Sequence, residues 1–182
     1  MLIKKIIAIC KKKKKLVIWN GKGVQYISDG AAIYPLYDMP VFDERSICAA
    51  FDVAADKVDV SMVEGVPAAF DFSDAADGER QIDGSLMPIG EYVPYSTSDG
   101  VRFLRREYLG PFCRDVDISI FERRDTTGEI YFAVKRGFCL VAVLTAEDVL
   151  TLEFMKRLNE LNEKCRLTYI AESGGDVSGL YE

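Results

Sequence analysis

The stretch from residue 114 to 165 constrains the fold most, because its hydrophobic period changes in a fixed order. Val116, Ile118 and Ile120 alternate with Asp117 and Ser119, the two-residue period of a strand with one wet face. Asp125-Thr126-Thr127-Gly128 supplies turn chemistry. Ile130, Phe132 and Val134 then alternate with Tyr131, Ala133 and Lys135, and Arg136-Gly137 breaks the run. Residues 138–144 are apolar throughout, which suits a strand buried on both faces. Three strands joined by short turns make an antiparallel meander. After it, Thr145 reads as an N-cap, with Glu147 and Asp148 at the positive end of a helix dipole. Leu152, Met155, Leu158, Leu161 and Cys165 then recur at three- and four-residue spacing. That predicts an amphipathic helix over 146–165 laid on the sheet.

The N-terminal third carries a second β signal. Residues 16–19 and 24–27 flank Asn20-Gly21, a pair favoured in type I′ hairpin turns. Residues 2–10, with Ile3, Ile6, Ile7 and Ile9, read as a strand, and the lysine run after them as a solvated turn. Residues 31–37 predict a strand at a sheet edge or ending in a kink at Pro35. Asp43 is an N-cap for a helix over 44–55 with Ile47, Ala50, Phe51 and Ala54 on one face, and 57–63 returns as a strand. The predicted class is α+β: antiparallel meanders (the N-terminal hairpin and 114–144) packed with two or three helices, the main one at 146–165. The expected organisation is one domain, 1–182. The Pro-, Gly- and Asp-rich texture of 64–97 admits a split there, into 1–66 and 95–172. The tripeptide Ser-Asp-Gly at 28–30 and again at 98–100 is thin ground for an internal duplication.

Function is bounded mostly by exclusion. There is no histidine among the 182 residues. That removes Ser-His-Asp and Cys-His nucleophile systems, His-containing zinc sites and facial-triad iron sites. The five cysteines are scattered, without a C-x-x-C, and Cys139 and Cys165 fall on predicted buried faces. Asp71, Asp74 and Asp77 recur every third residue, not every second as an EF-hand loop requires. Asn20-Gly21-Lys22-Gly23 lacks the spacing and following helix of a phosphate loop. No cofactor is expected. No apolar run is long enough for a membrane helix, and no small-residue cleavage site follows the N-terminal basic segment, so the expected location is the cytoplasm.

Charge is unevenly placed. Residues 1–28 carry +8 and residues 29–182 carry −14. Lys11, Lys12, Lys13, Lys14 and Lys15 form one basic spot. Arg102, Arg105 and Arg106 form a second, which would present an arginine face if helical. These eight residues are candidate contacts for a partner or a nucleic acid, while an acidic body opposes a polyanion unless the cations share one face. Met87, Tyr92 and Tyr95 are candidate protein contacts. The expected function is a non-catalytic binding or accessory protein that contacts a protein partner or a second copy of itself. The alternatives are a nucleic-acid-associated protein of clamp-like architecture and an enzyme working through carboxylates.

Overall fold

In a computed structural model, the described residues are 2–21, 23–84 and 88–150, with 153, 154, 156, 159, 160, 163–165, 167 and 168 beyond them. The chain divides into two compact units, Met1–Glu147 and Asp148–Glu182. The class is α+β. In the first unit, chain order runs α1 (Ile3–Lys13), β1 (Lys15–Asn20), β2 (Gln25–Ser28), β3 (Ala32–Pro35), α2 (Glu44–Phe51), β4 (Asp59–Glu64) and β5 (Arg80–Ile82). There follow β6 (Tyr92–Thr97), β7 (Gly100–Arg105), α3 (Arg106–Leu109) with a 3-10 turn at Gly110–Phe112, β8 (Ile118–Arg124), β9 (Ile130–Arg136) and β10 (Cys139–Thr145).

Eight strands make one sheet in the order β4-β1-β2-β3-β10-β9-β8-β5. Two antiparallel meanders meet where β3 pairs with β10, Ile33 opposite Val143 and Ala32 opposite Leu144. β4 joins the far edge parallel to β1. β6 and β7 form a separate hairpin. One sheet face and the helices enclose the main core, which includes Ile6, Leu16, Ile18, Ile27, Ile47, Leu104, Phe132 and Leu144. The other face carries a smaller cluster of Ile33, Tyr131, Ala133, Leu140 and Val143, with Phe70 and Phe72 packed onto it.

The expected meander over 114–144 forms, with β8 pairing β9 and β9 pairing β10 antiparallel. Val116 lies outside it, 93% exposed, and β8 extends through Arg124. Asp125 Oδ1 accepts from the Thr127 and Glu129 amides, which closes the first turn. Gly137, at φ +58°, takes the first position of the second. β10 is buried from Leu140 to Leu144, because sheet faces on both sides are covered.

Several expectations are corrected. Residues 2–10 are helical, not a strand: Ile3, Ile6, Ile7 and Cys10 lie on one face of α1 at helical spacing and enter the core. The lysine run is therefore no strand-to-strand turn: Lys11, Lys12 and Lys13 end α1, Lys14 caps it at φ 57°, and Lys15 opens β1. The Asn20-Gly21 hairpin forms, but Asn20 stays in the ladder opposite Gln25 and a longer loop closes on Gly21 N–H to Val24 C=O, so no two-residue type I′ turn is made. β3 is an interior strand, not an edge; it ends at Pro35, which still pairs opposite Tyr26, and the next amide, Leu36 N–H, donates to Gln25 C=O. The predicted start of the 146–165 helix also moves. Thr145 remains in β10, its hydroxyl donating to Ala31 C=O, and Glu147 bridges Phe103. In the second unit the described residues from Glu153 onward are helical. Leu152, Met155, Leu158 and Leu161 lie outside the described residues. Cys139 and Cys165, expected to be buried, are exposed; Cys139 stands at the mouth of a turn where β10 has only begun.

Residues 66–79 are tied down rather than loose. Phe70 meets Tyr131 edge-on at 5.0 Å and Phe72 meets Tyr26 at 4.9 Å, so the segment straps the second sheet face. Beneath it, the Arg123 guanidinium donates to Asp71 C=O and Ser73 C=O and pairs with Glu79. Lys135, also buried, reaches the other Glu79 oxygen.

Candidate interaction surface

Acids already occupy part of both basic spots. Lys12 pairs with Glu107 at 2.6 Å and Lys13 with the same carboxylate at 3.6 Å. Burial pushes the Glu107 carboxyl up, but Lys12, Lys13 and Arg105 outweigh it and hold it below the usual range. Lys11 caps α2 by donating to Phe51 C=O. Lys14 and Lys15 are exposed, Lys15 lying alongside Gly30.

The expected arginine face is not built. Arg102 and Arg105 sit three apart in β7, so they point to opposite sides of the hairpin. Arg105 is held by Glu147 and Glu91 and lies 5.0 Å from the Tyr92 ring centre. Arg106 opens α3 and is exposed.

Tyr92 is half-buried between Arg105 and Phe103. Tyr95 is core: 5% exposed, its ring tilted against Phe132 at 5.3 Å, its phenol pushed up to about 12 by burial. Gly84 lets its ring approach, since a Cβ there would lie 2.9 Å from it. Met87 lies outside the described residues.

The acids of 64–97 work on the fold. Asp71 caps Ser73, and Asp74 accepts from the Leu140 amide. Among the described residues no group of three or more His, Cys, Asp or Glu is arranged to hold a metal. A cleft of about 340 Å³ collects Asp77, Arg80, Ser98, Glu122, Arg123 and Arg124. Its arginines are already paired, Arg80 with Glu122, Arg123 with Glu79 and Arg124 with Asp99, and Ser98 donates to Glu122. Burial raises the Glu122 carboxyl, and hydrogen bonds from Ser98 and Arg80 bring it below the usual range, the wrong direction for a general acid.

A different surface stands out. Pro35, Asp38 and Pro40 keep residues 36–41 from continuing β3, and Asp38 turns the chain at φ 58°. Tyr37, Met39 and Val41 therefore project as a ridge, 40%, 37% and 83% exposed. On one flank lies a cleft of about 480 Å³ walled by Asn20, Gly21, Gly23 and Val24. On the other lies one of about 190 Å³ that reaches Ile3, Arg136 and Val141. Phe138, 92% exposed, follows Arg136 in the β9–β10 turn. In the sequence, large apolar residues at alternate positions 37, 39 and 41, set in a loop around Pro40, are a usable signal of contact.

No family model matches the chain, no curated protein matches it, and no solved structure matches it.

Proposed function

We propose that the protein is a non-catalytic binding protein of the cytoplasm, and that Tyr37, Met39 and Val41, with the clefts beside them, contact a protein partner. The carrying observation is the exposed apolar ridge. Val41 and Phe138 leave nearly all their surface in water, a cost that a covering partner removes at roughly 25 cal/mol per Å² of apolar area. Free thiols at all five cysteines agree with a reducing compartment. Among the described carboxyls with a shifted pKa, every one is lowered, which favours ion pairing over acid–base work.

The test is co-purification and light scattering of the native chain against Val41→Asp and Phe138→Ser. Both sites are at the surface, so thermal melts should match. Loss of the co-purifying protein, or of self-association, in the variants supports the reading. Unchanged association in both overturns it.

A further inference from the structure

β4 is the open edge of the large sheet. Its ladder to β1 shows which backbone groups face outward. Asp59 N–H donates to Lys14 C=O, and Gly65 N–H donates to Asn20 C=O. In a parallel pair alternate residues bond to the neighbour. Asp59, Ser61 and Val63 therefore face β1, and Val60, Met62 and Glu64 turn N–H and C=O away from it. None of those three has a backbone partner outside that ladder among the described residues.

Protein edges are usually blunted by proline, lysine, a bulge or short length. β4 has none of these: Asp-Val-Ser-Met-Val-Glu pairs with Lys15–Asn20 over six residues without a register shift. The opposite end of the sheet is protected. β5 has three residues, and the Gly84–Tyr95 bridge leads on to β6.

Charge selects the occupant. Residues 52–64 hold Asp52, Asp56, Asp59 and Glu64 against Lys57, and exposed Lys14 adjoins Asp59 at the start of the strand, so acids still outnumber cations along this edge. Lys15 is beside Asp59 in register, but its ammonium reaches toward Gly30, away from the edge. An antiparallel second copy of β4 would bring Asp59 near Glu64 at both ends, which disfavours self-pairing. Partly exposed Val60 and Met62 on one face, with Val63 and Trp19 on the other, supply apolar contacts for alternate side chains.

We propose that the outer edge of β4 accepts an extended basic segment of another protein as an added strand. The segment alternates apolar side chains and carries Lys or Arg at its ends. This docking mode uses backbone donors and acceptors, so it stands whether or not the Tyr37–Val41 ridge binds.

The experiment uses the full chain and a labelled peptide, Lys-Lys-Val-Thr-Val-Thr-Val-Lys-Lys, read by fluorescence anisotropy and residue-resolved amide exchange. Binding should weaken with salt. On binding, the amides of Val60, Met62 and Glu64 should slow while those of Asp59, Ser61 and Val63 stay unchanged. Met62→Pro removes an outward donor without touching the β1 ladder and should weaken binding about tenfold or more. If that variant misfolds, Asp59→Lys with Glu64→Lys decides the matter: it should lose this peptide and gain one flanked by glutamates. Absent binding overturns the proposal, as does binding that leaves those three amides unchanged. A dimer whose dissociation exposes the same amides also overturns it, in favour of a second copy.

Discussion

Glu79 lies between two buried cations, Arg123 with 2% and Lys135 with 6% of its side chain exposed. Removing the carboxylate strands both. Glu79→Ala should cost about 3–5 kcal/mol in a urea titration, the range for breaking a buried pair by deleting one partner. The pH dependence has a definite sign. Burial raises the Glu79 carboxyl, and hydrogen bonds from Lys135 and Arg123 more than reverse that, leaving it below its ordinary 4.5. Its stabilisation is complete above that value and fades as pH falls through the folded pKa. Glu107 and Glu122 are shifted the same way. Acid unfolding should therefore set in below the ordinary carboxylate range, and the limb should be shallower in Glu79→Ala. Asp29 is handled differently. It is buried, yet it accepts from the Ala31 and Ala32 amides and from the Tyr108 hydroxyl. Tyr108→Phe removes one of three donors and should cost about 1–2 kcal/mol by the same titration.

α1 shows how a short element is held by tertiary contacts. Leu2 offers no side-chain cap and its first turn has no acid. Its lysine-rich last turn suits the negative end of the dipole. The helix persists because Ile6, Ile7, Ile9 and Cys10 are buried; burial pushes the Cys10 thiol up to about 12, keeping it a neutral apolar filler. Lys14 ends it in the left-handed region, where a side chain is strained and glycine is not. Lys14→Gly should raise stability by about 1 kcal/mol, measured by urea melting. The 66–79 strap is the second instructive element. Its ring contacts with Tyr26 and Tyr131 cover a sheet face that would otherwise be wet. Phe70→Ala with Phe72→Ala should leave the sheet formed but speed proteolysis within 66–79.

Across the first unit, the two meanders are joined by the short β3–β10 ladder, whose partners lie more than a hundred residues apart in sequence. Such distant closure is entropically slow to form. Leu144, fully buried on that seam, should lose about 2–5 kcal/mol on replacement by alanine, read by thermal or urea melting. Electrostatics at this level bears on the nucleic-acid alternative. Lys12, Lys13 and Arg105 already answer Glu107, Glu91 and Glu147, and the chain carries −6 overall. At moderate salt, duplex DNA should not bind measurably. Salt-sensitive binding that disappears when Lys11 to Lys15 become Glu would revive that alternative.

Local periodicity was enough to read the C-terminal meander, the existence of the first hairpin, the return strand at 59–64 and the start of the Asp43-capped helix, which ends at Phe51 rather than at residue 55. Each depends on neighbours a few residues apart, and the Asp43–Ser46 capping box is a local exchange of hydrogen bonds. The same information misread residues 2–10. Isoleucine favours strands by its branching, but Ile3, Ile6, Ile7 and Cys10 suit a helix once a sheet lies beneath them. Nor could spacing reveal that β4 runs parallel to β1 or that Tyr95 is core. It also could not show that Lys12 and Lys13 meet Glu107, far along the chain and next to the arginine run. Those outcomes depend on which faces meet, and only tertiary packing decides that.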